Sequence, residues 1–143
     1  MYSLFVDTTN QLTFGLLTDK WVWKDYFHSS ELRTSAVKIH ALIFEMLKKH
    51  DLGMSDIGKI FFLNGPGSYT GIRITAGVVQ GLSYGLEVPL VSVSSLEAIA
   101  YSLVEENFLS IEDGDKIFAS ILARPDEYYL GAYEWKNGSV EPI

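Results

Sequence analysis

The sequence predicts an α/β protein whose main sheet contains both antiparallel and parallel strands. Three β-rich segments follow one another within the first 27 residues, and strands spaced so closely favour an antiparallel arrangement. Three helical segments then alternate with two short apolar strands, which is typical of parallel strands covered by helices. After a polar connection at Asn107–Asp115, a β-rich pattern starts again.

The first part of the chain contains eight predicted elements in the order βββαβαβα. The first helix is indicated by a change to a helical period and by a stop signal at Leu52-Gly53. Ser94 and Ser95 offer an N-cap for the third helix. The predicted bounds are strands at Tyr2–Thr8, Leu12–Leu17 and Trp21–Phe27, a helix at about Thr34–His50, a strand at Lys59–Leu63, a helix at about Ile72–Leu86, a strand at Pro89–Val93 and a third helix that follows its N-cap and ends near Glu106.

The last third of the chain predicts a second, shorter β unit. Lys116–Ala123 and Tyr128–Trp135 are β-rich, and Asn137-Gly138 is a strong turn signal shortly before Ile143. We interpret this region as the opening of a second βββ unit that is cut short. The predicted domains are therefore residues 1–107 and residues 108–143.

Composition limits the classes of function. The 143 residues are 48% hydrophobic and 20% charged, which is typical of a globular domain. The absence of cysteine excludes disulfides and thiolate chemistry, and a net charge of −7 makes the chain a poor candidate for holding nucleic acid alone. The N-terminus has no basic segment and no apolar run reaches about 18 residues, so we expect a cytoplasmic protein without a membrane partner.

A glycine-rich loop between a strand and a helix is the strongest candidate for chemistry. The segment NGPGSYTGIR at Asn64–Arg73 could present backbone N–H groups to a phosphate, although it matches neither the P-loop nor the dinucleotide fingerprint. A tight turn that simply needs glycine explains the same residues. Asp7-Thr8, at the end of the first strand, is a second candidate. The possible phosphate-binding or nucleotide-binding residues are Asp7, Thr8, Gly65, Gly67, Ser68, Thr70 and Arg73.

The first two helices carry more apolar or small surface than one sheet face requires. On the first helix the apolar arc exceeds half of the circumference, and on the second helix three glycines recur at four-residue spacing. Helical glycines at such a spacing suit a close contact with another backbone, or they lie against the sheet of their own domain. The candidate partner-interface residues are Ala36, Val37, His40, Ala41, Phe44, Gly77, Gly81 and Gly85.

Familiar catalytic patterns are missing from the sequence. No G-x-S-x-G elbow is present, and none of the three histidines forms an H-x-x-x-H pair. We therefore predict no catalytic residue and no metal site.

Several segments together resemble the TsaB (YeaZ) family. NGPGSYTGIR is similar to the family's GPGSFTGLRIG loop, and VPLVSVSSLEAIA matches its strand with a VSSLEALA-like end. The opening Asp7-Thr8-Thr9 resembles the family's DTS start, and Arg124–Tyr128 resembles its DAR-x-x-E-V-Y region. The likeness extends over nearly the whole chain.

The resemblance implies a fold and a role. The fold is actin-like, with duplicated βββαβα units, as in sugar kinases. The role is that of a non-catalytic scaffold in the formation of threonylcarbamoyladenosine at position 37 of tRNA. The implied partners are a TsaD-like catalytic subunit, a TsaE-like ATPase and a second copy of the chain, with tRNA bound only through the complex. No cofactor is implied for this chain by itself, whereas ATP or ADP is a candidate at a partner interface.

The H-x-E-x-H metal element of the catalytic paralogue aligns with Ser95, Glu97 and Ile99, which retains only the glutamate and supports the non-catalytic assignment. Two departures from the family pattern concern the length of the chain and the start of the first helix. Family members usually exceed 200 residues, and the His-Ser that commonly opens their first helix is Thr34-Ser35 here. The alternative function is an ATP-binding phosphotransferase of the actin-like superfamily, with Asp7 and the glycine-rich loop on phosphate.

Overall fold

A computed structural model describes residues 1–105 and 110–143, except for the side chains of residues 32–37 and 105. None of the helices within those ranges is long and apolar enough to cross a membrane. The strands are β1 (Tyr2–Asp7), β2 (Leu12–Leu17), β3 (Trp23–Ser29), β4 (Ile57–Leu63), β5 (Leu90–Val93), β6 (Lys116–Arg124), β7 (Glu127–Lys136) and β8 (Ser139–Pro142), and the helices are α1 (Leu32–Lys49), α2 (Tyr69–Leu86) and α3 (Ser95–Glu105).

The first five strands form one mixed sheet in the order β3-β2-β1-β4-β5. β1 pairs antiparallel with β2 and parallel with β4, and β2 pairs antiparallel with β3. The central strand β1 therefore joins an antiparallel meander to a parallel crossover, as the element order predicts.

One face of this sheet carries the main hydrophobic core. Alternate residues of β1 and β2, such as Leu4, Val6 and Phe14, are fully buried because strand side chains point to opposite faces in turn. Ile39 and Ile43 of α1 and Val78 and Val79 of α2 complete the same cluster. This packing fixes α1 and α2 on that face, and it fixes the start of α2 against the end of β1.

A second compact unit contains a separate core. β6, β7 and β8 form an antiparallel meander, and α3 packs with them through Leu96 and Ala100 against Ile117 and Tyr133. Contacts divide the chain into Met1–Asn64 with Ser68–Ser92 as the first unit, and Gly65–Gly67 with Val93–Ile143 as the second. The predicted boundary between residues 107 and 108 lies outside the described residues and stays a prediction.

The predicted α/β class with a mixed sheet and a second βββ unit is confirmed. Element ends differ by a few residues where local capping decides them. α2 begins at Tyr69 rather than Ile72 because the Ser68 hydroxyl accepts a hydrogen bond from the Gly71 N–H at 3.3 Å. After the Asn137-Gly138 turn, β8 forms by pairing with β7.

Candidate functional site

The end of β1 and the first turns of α2 are joined by a buried hydroxyl network. The Thr8 N–H donates to the Thr75 Oγ1 at 3.0 Å, and the Thr8 hydroxyl donates to the Gly71 carbonyl at 2.6 Å. Since the Thr8 proton is used in this way, the Thr75 hydroxyl donates to the Thr8 Oγ1, also at 2.6 Å. We call Thr8, Gly71 and Thr75 the β1–α2 junction.

Gly71 has no space for a side chain at this junction. A Cβ at this position would overlap the carbonyl oxygen of Thr8. The Ser68 N–H donates to the Thr9 carbonyl at 2.6 Å, which also draws the start of α2 onto β1. The interpretation of the loop as a tight turn that needs glycine therefore has a specific structural basis at Gly71.

Asp7 lies beside the junction as a half-buried carboxylate. Its Oδ1 accepts a hydrogen bond from the Thr9 N–H at 2.7 Å. Burial raises the pKa of Asp7 above its ordinary value, and the hydrogen bonds from Thr9 oppose this shift only in part. Asp7 is thus a partly desolvated carboxylate directly before the β1–α2 junction in the chain.

The predicted phosphate-binding residues differ in their availability to a ligand. Thr8 is fully buried and its hydroxyl is used within the protein, so the geometry does not support a contact between Thr8 and phosphate. Ser68 acts as the N-cap of α2. Thr70 and Arg73 are exposed, and the Arg73 guanidinium lies 4.2 Å from the centre of the Tyr69 ring.

Gly65 and Gly67 belong to the second unit. Gly65 adopts a φ of +101°, a conformation that favours glycine, and its carbonyl accepts a hydrogen bond from the Ser95 N–H at 2.8 Å. Gly65 therefore has a backbone role at the start of α3. The predicted contact of Gly65 and Gly67 with phosphate stays a prediction.

The exposed sides of α1 and α2 carry most of the predicted interface residues. His40, Ala41 and Phe44 are exposed on α1, and the Phe44 side chain is 58% accessible. The side chains of Ala36 and Val37 lie outside the described part of the chain. We call the exposed residues of α1 and α2 that were predicted to bind a partner the helical face; they are His40, Ala41, Phe44, Gly77, Gly81 and Gly85.

The glycine stripe of α2 faces open space. No described atom lies within 4 Å of a Cβ built on Gly77, Gly81 or Gly85. The alternative in which these glycines pack on their own sheet is therefore wrong. Tyr84, between them in the helix, is 89% exposed.

Two residues of the site escaped the sequence analysis. Thr75 is a helix-interior threonine without a distinctive neighbour, and its partner Thr8 is 67 residues away in the chain. Tyr69 was passed over although it is four residues before Arg73, a spacing that brings two side chains together on a helix. That spacing could have identified the Tyr69–Arg73 pair.

The topology and the solved structures define the class of protein. A ROK family protein from Streptococcus pneumoniae, solved in complex with sucrose, superposes on 99% of this chain with a TM-score of 0.52, at 13% identity and over 48% of its own chain. At that identity the likeness concerns the fold alone. Together with the β3-β2-β1-β4-β5 sheet, it identifies an actin-like fold.

Closer similarities identify the family. The solved structure of YeaZ from Pseudomonas aeruginosa matches 99% of this chain with a TM-score of 0.80 and 29% identity. Proteins named tRNA threonylcarbamoyladenosine biosynthesis protein TsaB are 32% identical over 145 residues in Bacillus subtilis, covering 100% of this chain, and 36% identical over 105 residues in Haemophilus influenzae, covering 72% of it. A family model described as TsaD, tRNA N6-adenosine threonylcarbamoyltransferase, matches residues 30–141. The chain belongs to the family of this model, and the TsaB (YeaZ) proteins are among its relatives.

The match is to only part of each relative. The chain spans 59% of the B. subtilis protein, 42% of the H. influenzae protein and 64% of the P. aeruginosa chain.

Proposed function

We propose that this chain is a non-catalytic subunit in the formation of threonylcarbamoyladenosine on tRNA, and that it binds a TsaD-like catalytic subunit through the helical face. The observation that carries the proposal is the open glycine stripe of α2, together with the exposed Phe44 of α1. The relatives named for this biosynthesis support the assignment of the pathway.

The energetics of α2 favour a partner at this face. A glycine inside a helix is less favourable than alanine by about 1 kcal/mol, and here no packing within the described residues offsets that loss. The absence of side chains lets the backbone of a second helix approach closely, and Phe44 adds an aromatic side chain that such a contact would bury. A second copy of this chain could occupy the same face when the catalytic subunit is absent.

The residues aligned with the metal element of the catalytic paralogue support the non-catalytic role. Ser95 is buried at the start of α3, and the Ile99 side chain has no atom that could bind a metal ion. The family model that matches residues 30–141 is described as a transferase, and the loss of two of the three metal-element residues favours a non-catalytic role for this chain. We expect a TsaE-like ATPase to join the complex, and we expect tRNA to bind stably only to the complex and not to this chain alone.

Two charged substitutions test the proposed interface. We expect Phe44→Asp and Gly81→Asp each to abolish co-elution with a TsaD-like subunit, because each would bury an unpaired carboxylate at the contact. Size-exclusion chromatography with light scattering measures the assembly, and circular dichroism checks the fold of the isolated variants. Leu122→Asp, which adds the same charge at an exposed position of β6, is the matched control. Unchanged assembly of both helical-face variants would refute the interface.

We also propose that this chain binds no nucleotide by itself and that ATP or ADP is held only where a partner adds to the site around Asp7. Thr70 and Arg73 are exposed near the start of α2 and remain available to a phosphate, whereas Thr8 is not. Calorimetry with ATP and magnesium tests this, with and without the TsaD-like subunit. Tight binding to the isolated chain that Asp7→Ala abolishes would contradict the proposal.

A further inference from the structure

The face of the first sheet opposite α1 and α2 carries a cluster of exposed aromatic side chains. Leu4 and Ile60 are buried under the helices, so their neighbours Phe5 and Phe61 point to the opposite face. They are joined by Trp21 at the end of the β2–β3 hairpin turn and by Trp23 and Tyr26 of β3. These three side chains are 63%, 48% and 66% accessible. We call Phe5, Trp21, Trp23, Tyr26 and Phe61 the aromatic face.

The rings of the aromatic face are held in defined positions although they are exposed. The Trp21 ring, from the turn just before β3, packs edge-on against Phe61 of β4 at 5.5 Å between centroids. The Trp21 side chain therefore extends across β2 and β1, which lie between β3 and β4 in the sheet. Trp23 packs edge-on against Phe5 at 6.1 Å and contacts Tyr26 at 6.3 Å. Because the rings are fixed before binding, a ligand would gain their contact area with little loss of side-chain entropy.

Two backbone features maintain this arrangement. A Cβ at Gly15 would lie 2.6 Å from the Trp23 ring, so the glycine lets that ring rest directly on β2. Trp21 has a φ of +59°, a left-handed conformation that is strained for a bulky residue. Strained residues of this kind concentrate at functional sites.

The charge around the aromatic face is opposite to that of the whole chain. Lys20 and Lys24 flank the Trp21-Val22-Trp23 segment, and the Lys59 ammonium lies 5.7 Å from the Phe61 ring centre. Asp19 is the acidic residue of this hairpin turn, whereas Asp25 is already paired with Lys49 and His50. Asp7 lies on the same side of β1 as Phe5, so three lysines stand against Asp19 and Asp7 and leave a small positive excess in a chain of net charge −7.

We propose that the aromatic face binds single-stranded RNA, with bases stacked on Trp21, Trp23 and Tyr26 and phosphates held by Lys20, Lys24 and Lys59. Proteins bind unpaired nucleotides by stacking the bases on exposed aromatic rings while nearby lysines pair with the phosphates. The unpaired bases of RNA loops are free to stack in this way. The inference rests on the proposed function, whose substrate is a tRNA. It adds that this chain contacts the RNA itself.

Fluorescence anisotropy of the full chain with a labelled single-stranded RNA of about 12 nucleotides tests the proposal. We expect a dissociation constant of roughly 1–100 µM and a logarithmic salt dependence with a slope of about −2, since three lysines each contribute about −0.7. Trp21→Ala should weaken binding by about 5- to 100-fold, in line with the loss of one stacked base. Tyr84→Ala, which removes an aromatic ring of α2 that is even more exposed than Trp21, is the control and should bind like the original chain.

Three outcomes would overturn the inference: equal binding of the annealed duplex, no effect of Trp21→Ala, or binding to vesicles of phosphatidylglycerol and phosphatidylcholine without binding to RNA. Capture of the TsaD-like subunit is measured separately on the same variants. Capture without RNA binding overturns this inference alone. RNA binding without capture supports it and contradicts the proposed partner.

Discussion

The first turn of α2 and the second half of the same helix both contain glycine, but in opposite environments. At the start of the helix, Gly71 lies against β1 so closely that a Cβ would overlap the Thr8 carbonyl oxygen. Further along the same helix, Gly77, Gly81 and Gly85 have no described atom near the position of a Cβ. The first glycine is required by the fold of this unit, whereas nothing in the described fold requires the other three.

This difference separates two kinds of constraint on one helix. The β1–α2 junction is satisfied within the chain by hydrogen bonds between Thr8, Gly71 and Thr75. The helical face has no such internal explanation, and its glycines reduce the intrinsic stability of the helix. Substitutions at the junction should therefore affect folding, and substitutions on the helical face should affect assembly.

The largest effect is expected for Gly71→Ala. The added methyl group must displace the end of β1 or the start of α2, so we expect a loss of about 3 kcal/mol or more in the free energy of unfolding. Urea denaturation monitored by circular dichroism measures this loss. A change below about 0.5 kcal/mol would show that the two segments separate easily and that the junction is not a fixed contact.

Thr75→Val should have the next largest effect. The substitution preserves the shape of the side chain but leaves the buried Thr8 N–H without its acceptor, which costs about 1–3 kcal/mol. The same urea titration measures the change. Thr70→Val, at an exposed position of the same helix, is the control and should leave the midpoint nearly unchanged.

The sequence predicts the helical face better than the junction. The spacing of Gly77, Gly81 and Gly85 is visible in the sequence because a helix brings every fourth residue to one side. The contact between Thr8 and Thr75 depends on how β1 meets α2, and neither residue type indicates that distant pairing. Local patterns likewise predicted the strands and the fold class. The packing of the Trp23 ring on Gly15 could not be predicted in this way, because it depends on the register between β2 and β3.

Gly81→Ala should raise the free energy of unfolding, whereas Gly71→Ala should lower it. Alanine favours the helix by up to about 1 kcal/mol and meets no described atom here, so the isolated chain should become more stable. The added methyl group should also weaken the close helix contact that we propose with the TsaD-like subunit. Urea denaturation and calorimetric titration measure the two effects. Lower stability of the isolated variant would mean that the glycine serves the fold after all.

A smaller effect is expected for Asp25, which lies on the first sheet away from both ends of α2. Lys49 and His50 each donate to its carboxylate at 2.8 Å and hold the pKa of Asp25 at about 2. Because the folded-state pKa lies below the unfolded value near 3.8, the stabilisation is present above about pH 4 and is lost as the pH falls towards 2. Asp25→Asn should lower the free energy of unfolding at pH 7 by about 0.5–1 kcal/mol, and the two proteins should converge near pH 2.

Asp7 should show the opposite pH dependence, with the smallest change in stability. Burial raises its pKa in the folded chain, so the ionised carboxylate opposes folding above that pKa, and the opposition fades as the pH falls towards the unfolded value near 3.8. Asp7→Asn keeps an oxygen that can accept from the Thr9 N–H but removes the charge. The variant should therefore be slightly more stable at pH 7, with the difference fading towards pH 4. A loss of stability at pH 7 would mean that the charge of Asp7 supports the fold. A gain would indicate that this carboxylate serves a role other than stability.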